Sequence, residues 1–444
     1  MIEYRNLRVA LLGAGSVGAQ VAYQLLHHRA ELANRVGAGL ELVGIAVRDL
    51  DAPRDVELPR ELLTTDAESL ILSADIVIEL MGGIEPARTY ITQAINSGAD
   101  VVTANKALLA THGPELFGLA EQVGAQLYYE AAVGGAIPIV RPLRESLAGD
   151  RVTRILGIVN GTTNYILDRM DSESESLQEA LAKATHLGYA EADPTADIEA
   201  YDAAQKAAIL ASLAFHTTVP LEAVHREGIT GITEDEIASA RKAGYVVKLL
   251  AICERLPDPE TGREGVSARV YPALVNRSHP LAAVRGAHNA VFVQAEGAGS
   301  LMFYGAGAGG PETASAVLGD VVSAARRHVV GGPGVAESTH ANLPLLEIGL
   351  VTTRYQITLS VNDESGVLAR IASVFAEHGV SVEFVQQTPA SLEDGDEAET
   401  DPATATLVIG THEAHEADLA ATVDALAANS AVIRVTSVLR VEGA

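Results

Sequence analysis

The chain has 444 residues, of which 48% are hydrophobic and 4% aromatic, with 40 glycines and no tryptophan. That length exceeds one ordinary core and points to about three domains, filled by Leu, Val, Ile and Ala. A formal charge of -27 argues against nonspecific binding to nucleic acid or to an anionic membrane, and it leaves any anionic ligand dependent on local cations and glycine-rich turns.

The single cysteine, Cys253, excludes an intrachain disulfide. Its setting in VVKLLAIC reads as a buried small hydrophobe, and a reducing cytosol fits. No apolar run reaches membrane-spanning length, and MIEYRNLRVALLGAG lacks the pattern of a signal peptide. The expectation is a soluble, cytoplasmic protein.

In chain order, residues 7–12 read as a buried parallel strand. Gly13-Ala14-Gly15-Ser16-Val17-Gly18 follows, and then the helical pattern VAYQLLHHRAELANR. This is G-x-G-x-x-G in its required context of strand, turn and helix. Gly13 makes the tight turn, Gly15 admits a pyrophosphate, Gly18 lets helix and strand approach, and the free N–H groups at the helix start meet the phosphates. A second strand, 40–47, ends at Arg48 and Asp49. An acidic residue there holds the ribose hydroxyls of NAD, whereas an arginine neutralises the 2′-phosphate of NADP. The pair leaves both open, with NADP favoured. Strands at 75–80 and around 101–102 come next, the latter followed by Thr103-Ala104-Asn105-Lys106. Lys106 is therefore placed at the carboxyl edge of the sheet, where ligands bind.

A strand over 127–130 leads into AAVGGAIP, which reads either as an oxygen-lined cation loop or as a domain crossover. A strand over 153–159 precedes Asn160-Gly161-Thr162-Thr163-Asn164, a turn that hydrogen-bonds a small ligand or caps a helix over 165–170. The segment 188–206, GYAEADPTADIEAYDAAQK, concentrates Glu191, Asp193, Asp197, Asp202 and Lys206, and Lys206 is one of only five lysines. Asp202 and Lys206 are four apart in a helix-favouring run, so they share a face and can pair. Such a lysine binds an anion or donates a proton; the simpler alternative is a solvated salt bridge. YGAGAGGP, 304–311, precedes a helix over 312–328 and reads as a return to the nucleotide domain or as a linker.

Residues 352–442 follow the order β-α-β-β-α-β of a ferredoxin-like unit, without a catalytic cluster, so binding or regulation is expected of it. Between its second and third strands SLEDGDEAETDP is acidic and reads as a mobile loop. His412 and His415 form a HExH run without the HExxH spacing and read as surface histidines.

Taken together, GAGSVG, TANKALL, YEAAVGGAIPI, NGTTNYIL, LGYAEADPTADIEAYDAAQK and YGAGAG resemble, in order and spacing, the single-function homoserine dehydrogenases with a C-terminal ACT domain. The resemblance covers nearly the whole chain, and the fourth and fifth segments are its most specific part. It implies an α/β chain with a Rossmann-type domain over 1–135 completed by about 305–340, an α+β substrate and oligomerisation domain over 136–304, and an ACT domain over 352–444. It implies reversible NAD(P)H-dependent reduction of L-aspartate 4-semialdehyde to L-homoserine, on the route to threonine, methionine and isoleucine. By the same resemblance Lys206 is the catalytic lysine, and Lys106 lies near nicotinamide and substrate. Glu191 and Asp202 are substrate-site carboxylates, and Gly188 and Gly305 are ligand contacts. Glu130, Val133, Gly135 and Ile137 match a sodium-binding loop. Homodimer or homotetramer assembly and inhibition by threonine are implied as well, with the insertion around 390–402 departing from a compact ACT unit.

The residue chemistry agrees with that reading. Hydride reaches the carbonyl carbon from the cofactor, negative charge develops on oxygen, and an ammonium such as Lys206 stabilises it and delivers the proton. Asp202 would orient Lys206, while Glu191 and Asp197 would meet the substrate α-ammonium, and Thr162 is a candidate substrate contact. Two other readings stay open on residues alone. One is a lyase or isomerase with tightly held NAD and Lys206 as base. The other is an amino-acid sensor with a vestigial nucleotide domain.

Overall fold

The computed structural model describes residues 6–258, 261–332, 334, 337, 339–389 and 404–443. The acidic insertion expected at 390–402 lies outside them.

The first unit contains β1 (Leu7–Leu12), α1 (Ser16–His27), α2 (Arg29–Val36), β2 (Leu40–Ala46), β3 (Leu63–Thr64), α3 (Ala67–Leu72), β4 (Ile76–Glu79), α4 (Ala87–Asn96), β5 (Asp100–Thr103), α5 (Lys106–Val123) and β6 (Leu127–Tyr128). Its six strands run parallel in the order β3-β2-β1-β4-β5-β6. This is the doubly wound order that opens a ligand crevice at the carboxyl ends of the strands. The period of two divides each strand between two cores. From β1, Leu7, Val9 and Leu11 face one core, while Ala10 and Leu12 face the other. Both faces are covered, as parallel sheets require.

The middle unit contains β7 (Val152–Ile158), α6 (Gly161–Glu173), α7 (Leu177–His186), α8 (Thr195–Ile198), α9 (Tyr201–Phe215), β8 (His225–Arg226), α10 (Glu234–Lys242), β9 (Tyr245–Pro257), β10 (Glu264–Asn276), β11 (His288–Ala295) and β12 (Gly299–Ala306). The helix expected over 165–170 starts earlier, at Gly161, because the Asn160 side chain accepts the Thr163 amide and caps it. Cys253 on β9 is fully buried. The chain then forms α11 (Gly310–Val330), whose Val317, Val321 and Ala324 pack with Val21, Ala22 and Leu25 of α1 in one core of the parallel sheet.

The strand expected over 127–130 is shorter than the pattern suggested. β6 ends at Tyr128, and Glu130 opens a single 3-10 turn, Glu130–Ala132. The Glu130 carboxylate, 1% exposed, accepts the main-chain amides of Ile139, Val140 and Arg141 at 2.5, 2.7 and 2.9 Å. Satisfying the free amides of the next helical turn pulls the chain out of the sheet.

The final unit contains β13 (Thr352–Asn362), α12 (Val367–Glu377), β14 (Val382–Pro389), β15 (Thr404–Thr411), β16 (Ala414–His415), α13 (Glu416–Ala427) and β17 (Val432–Glu442). Ile371, Val374 and Phe375 of α12 and Leu419 and Leu426 of α13 close over Ile357 and Leu359 of β13 and Leu407 and Ile409 of β15. The sequence did not reveal that this unit shares a sheet with the middle one. β17 pairs parallel with β10, Ala273 opposite Arg440, giving the continuous order β12-β11-β7-β9-β10-β17-β13-β15-β14.

Charges are buried at that seam. Arg269 on β10 is 0% exposed; its Nη2 donates to Glu254 at 2.7 Å and its Nε to the Tyr271 hydroxyl at 3.0 Å. Tyr271 in turn donates to Glu442 of β17 at 2.6 Å, and Arg154 of β7 pairs with both glutamates. Breaking such a set by removing one partner leaves uncompensated buried charge. Arg269→Met is expected to cost about 3–5 kcal/mol, read as a lower urea midpoint in equilibrium unfolding; an unchanged midpoint would show the seam to be electrostatically idle.

Candidate active site

Asp202 and Lys206 stand one turn apart at the start of α9, each 8% exposed. The chain reaches this helix through Ala200, a non-glycine residue in the left-handed region at φ 62°, a conformation that costs about 1 kcal/mol or more. The Lys206 ammonium donates to Asp202 Oδ2 at 2.8 Å and to the Val159 carbonyl at 2.6 Å. The other carboxylate oxygen, Oδ1, lies 3.2 Å from the Nζ of Lys106. Lys106 is the first residue of α5, in the parallel-sheet unit, and its side chain is 40% exposed. One carboxylate thus holds two lysines from two different units.

Asn160 completes the cluster. Its Nδ2 donates to Asp202 Oδ2 at 2.9 Å and to Asp197 Oδ1 at 2.7 Å, while its Oδ1 caps α6. Burial pushes the Asp202 carboxyl up, but Lys206, Lys106 and the Asn160 amide outweigh it and hold the group at about 2. Asp197 moves the other way: burial raises it, and one hydrogen bond from Asn160 does not compensate.

Behind Lys106 lies a support that sequence reasoning missed. Glu79, the last residue of β4, is fully buried and accepts the amides of Met81 and Gly82 at 2.7 and 3.2 Å. It also accepts the Thr103 hydroxyl at 2.7 Å; Thr103 in turn accepts the Asn105 amide, and Asn105 caps α5. A carboxylate closing an otherwise apolar strand was the available signal.

A cleft of about 660 Å³ opens along the carboxyl edge of the parallel sheet, lined by Gly13, Gly15, Arg48, Arg54, Met81 and Gly82 among others. Gly13 has φ 99°, and a Cβ there would lie 2.7 Å from the Leu80 carbonyl oxygen. A Cβ on Gly18 would lie 2.1 Å from the Gly13 carbonyl oxygen, so the helix is locked close to the turn, whereas a Cβ on Gly15 would meet open space. Ser16 and Val17 form the first turn of α1. Arg48 and Asp49 are both exposed at the end of β2. Asp49 accepts the Asp51 amide, and among the described residues Arg48 has no hydrogen bond or ion pair. Arg54, which sequence reasoning did not single out, lines the same cleft with its guanidinium held by the carbonyls of Asp49 and Ala52.

Thr162 donates to the Tyr189 carbonyl at 2.7 Å and so ties the turn at Gly188, φ 77°, to the start of α6. Glu191 is exposed and, among the described residues, makes no hydrogen bond or ion pair. In the AAVGGAIP loop, Val133, Gly135 and Ile137 are buried, and among the described hydrogen bonds their main-chain carbonyls accept none. A Cβ on Gly135, φ 64°, would lie 2.2 Å from the Gly307 carbonyl oxygen, and one on Gly305 would lie 3.3 Å from Ile137. The loop therefore packs directly on the glycine-rich turn before α11. Asp320 of α11 accepts the Glu130 amide, and burial pushes its carboxyl up to about 7. Among the described residues no group of His, Cys, Asp and Glu side chains is arranged to hold a metal, and no helix is long and apolar enough to cross a membrane.

A nucleotide-sized cleft beside paired lysines and carboxylates suits hydride transfer to or from a small polar substrate, and comparison with known proteins decides which. The family model described as homoserine dehydrogenase matches residues 138–322, that of the homoserine dehydrogenase NAD binding domain matches 13–130, and that of the ACT domain matches 355–430. The homoserine dehydrogenase of Corynebacterium glutamicum is 52% identical over 98% of this chain and 95% of its own. That of Mycobacterium tuberculosis is 54% identical over 99% of each. The chain belongs to the homoserine dehydrogenase family. Among solved structures, the enzyme from Thiobacillus denitrificans superimposes with a TM-score of 0.89 at 35% identity, covering 99% of both chains. The Staphylococcus aureus homoserine dehydrogenase at pH 7.5 does so at 0.75 and 30% identity, covering 100% of both. A hyperthermophilic archaeal homoserine dehydrogenase in complex with NADPH gives 0.60 at 26% identity, covering 75% of this chain and 100% of its own. The protein is accordingly an NAD(P)-dependent oxidoreductase that interconverts L-homoserine and L-aspartate 4-semialdehyde, with an ACT domain suited to allosteric control.

The depressed Asp202 carboxyl carries a pH signature. Its folded value of about 2 lies below the ordinary 3.8, so its stabilisation is fully present above about pH 4 and is lost as pH falls through 2. Lys206→Met removes its nearest partner and raises the carboxyl. Urea midpoints should therefore show the widest wild-type advantage at neutral pH, narrowing as pH is lowered from 4 toward 2; a gap independent of pH would contradict this assignment.

Proposed function

We propose that Lys206, Asp202 and Lys106 form the catalytic centre of this homoserine dehydrogenase. The carrying observation is the valence of Lys206: two of its three N–H groups are taken by Asp202 and Val159, which leaves one for the substrate oxygen. A nicotinamide bound along the cleft supplies or accepts the hydride. Lys206 stabilises the oxyanion of the semialdehyde and protonates it, and in the oxidative direction it takes the proton back. Asp202 pairs with the Lys206 ammonium and fixes its direction. Lys106, more exposed and sharing the same carboxylate, closes the site from the nucleotide side. Asp197 and Glu191 receive the substrate α-ammonium, with Thr162 and Gly188 shaping the turn beneath it.

NADP is the preferred cofactor in this reading, with Gly13, Gly15, Ser16, Val17 and Gly18 under the pyrophosphate, Arg48 at the 2′-phosphate, and Lys106 and Gly305 near the nicotinamide. The exposed, unpaired Arg48 and the engaged Asp49 support it, as does the NADPH held by the archaeal relative. The open carbonyls of Val133, Gly135 and Ile137 suit a hard monovalent cation such as sodium, with Glu130 at the head of the loop. The units divide at 1–135 with 305–340, 136–304 and 352–444. L-threonine acts on the last of these. A homodimer or homotetramer forms through the middle unit, whose edge strand β12 leaves Tyr304 56% exposed.

The deciding assay is absorbance at 340 nm with L-homoserine and NADP or NAD, with and without L-threonine. Lys206→Ala should lower kcat by about 10²–10⁴ while NADP binding is retained; normal turnover in the folded variant would sink the assignment. Arg48→Ala should lower the NADP-to-NAD ratio of kcat/KM by about tenfold, the scale of one charge-assisted contact. An unchanged ratio would move the 2′-phosphate elsewhere.

A further inference from the structure

The corner that joins Asp197 to Asp202 is gripped from outside the site. Arg226 of β8 donates to the Glu199 carbonyl, and its guanidinium stacks on the Tyr201 ring with 3.6 Å to the centroid. The Ile229 amide donates to the Ile198 carbonyl at 2.8 Å, and the Thr230 hydroxyl to the Glu199 side chain at 3.0 Å. Gly228 lies so close that a Cβ there would stand 2.4 Å from the Ile198 carbonyl oxygen. Between these contacts sits Ala200, buried and left-handed. A non-glycine residue keeps that conformation only while its surroundings impose it. Segment 226–230 is therefore the clamp on a corner that would otherwise relax, and Asp202 begins two residues later.

The same segment is held on its far side by the ACT unit. Glu227, next to Arg226, accepts Arg440 Nη1 of β17 at 2.8 Å and pairs with His225 at 2.7 Å. The Arg440 Nε donates to Glu416, the first residue of α13, at 2.9 Å, and the Tyr355 hydroxyl of β13 donates to the same oxygen at 2.6 Å. Arg440 also lies over the Tyr271 ring of β10, 4.4 Å from its centroid. Contacts therefore run without a gap from three elements of the ACT unit, through one ion pair, to the backbone turn that starts α9.

We propose that Arg226 is a positioning residue for the Asp202–Lys206 pair and that the Arg440–Glu227 ion pair transmits the state of the ACT domain to it. The proposal rests on the catalytic assignment above for its kinetic consequence. Its two-state element is the Ala200 corner, clamped or relaxed, which both the site and the ACT unit bias. When the ion pair is intact the clamp keeps Asp202 under Lys206 and Asn160. A shift of β17 or α13 that pulls Arg440 away loosens segment 226–230 and lets the corner relax.

The test uses the full-length chain and amide hydrogen exchange together with steady-state kinetics. Arg226→Ala removes the clamp and sets the size of the full effect. Glu227→Gln breaks the ion pair while leaving Arg440 on Glu416, and Arg440→Gln breaks it from the ACT side. In Glu227→Gln, amides of residues 199–205 should exchange about threefold faster or more, and kcat with L-homoserine and NADP should fall by a similar factor, with KM for NADP unchanged. Arg440→Gln should reproduce both changes, and if it unfolds the ACT unit, Glu227→Gln alone decides. Unchanged exchange at residues 199–205 in Glu227→Gln overturns the proposal whatever the kinetics. Faster exchange with unchanged kcat overturns it as well if Lys206→Ala has lost turnover; if Lys206→Ala turns over normally, the same result marks failure of the catalytic assignment instead.

Discussion

One carboxylate organises this enzyme. Asp202 is nearly out of water, a position that favours its neutral form, and it stays ionised because two ammonium groups and an amide converge on it. The three donors come from different places: Lys206 from its own helix, Asn160 from the cap of α6, and Lys106 from the nucleotide-binding unit. The charge that Asp202 needs for its own burial is thus the charge that brings the two halves of the site together. In a chain with a formal charge of -27 and five lysines, two of those lysines converge on one acid.

Much of this was legible in the sequence because its signals are local. G-x-G-x-x-G after an apolar run fixes a strand, a turn and a helix start, and the three glycines occupy three separate environments as the spacing implies. The i,i+4 spacing of Asp202 and Lys206 predicts their pairing directly. What the sequence hid is non-local. Nothing in TANK shows that Lys106 reaches an acid on another unit, because that contact depends on how the units dock. Glu79 and Asn160 read as strand and turn residues until the fold turns Glu79 onto the Thr103 hydroxyl and Asn160 onto Asp197 and Asp202. Glu130 illustrates the reverse, where a residue read as strand leaves the sheet because amides nine to eleven positions later need an acceptor.

The ACT unit shows the same limit at larger scale. Its β-α-β-β-α-β order is written in alternation and helical periodicity, which are properties of each segment by itself. Its attachment is written in the side chains of Arg440 and Glu442, two charged residues in a strand, which only gain meaning opposite Glu227, Tyr271 and Arg154. The ACT unit and the middle unit share a sheet, with β17 of one hydrogen-bonded to β10 of the other.

That shared sheet also sets an order of events during synthesis. Tyr271 and Glu442 meet across 171 positions of sequence, and Arg269 lies buried beside them. As the chain emerges from the ribosome, the nucleotide unit's strands β1 to β6 can pair as soon as they appear, and β8 pairs with β10 at Arg269 and Val270, but the Ala273–Val275 stretch of β10 keeps an open edge until β17 arrives. Through that interval the half-made protein carries a strand with unpaired main-chain groups and a guanidinium lacking part of its counter-charge, the kind of edge that invites wrong partners. That stretch of the seam is therefore completed only when the last strand of the chain has been made.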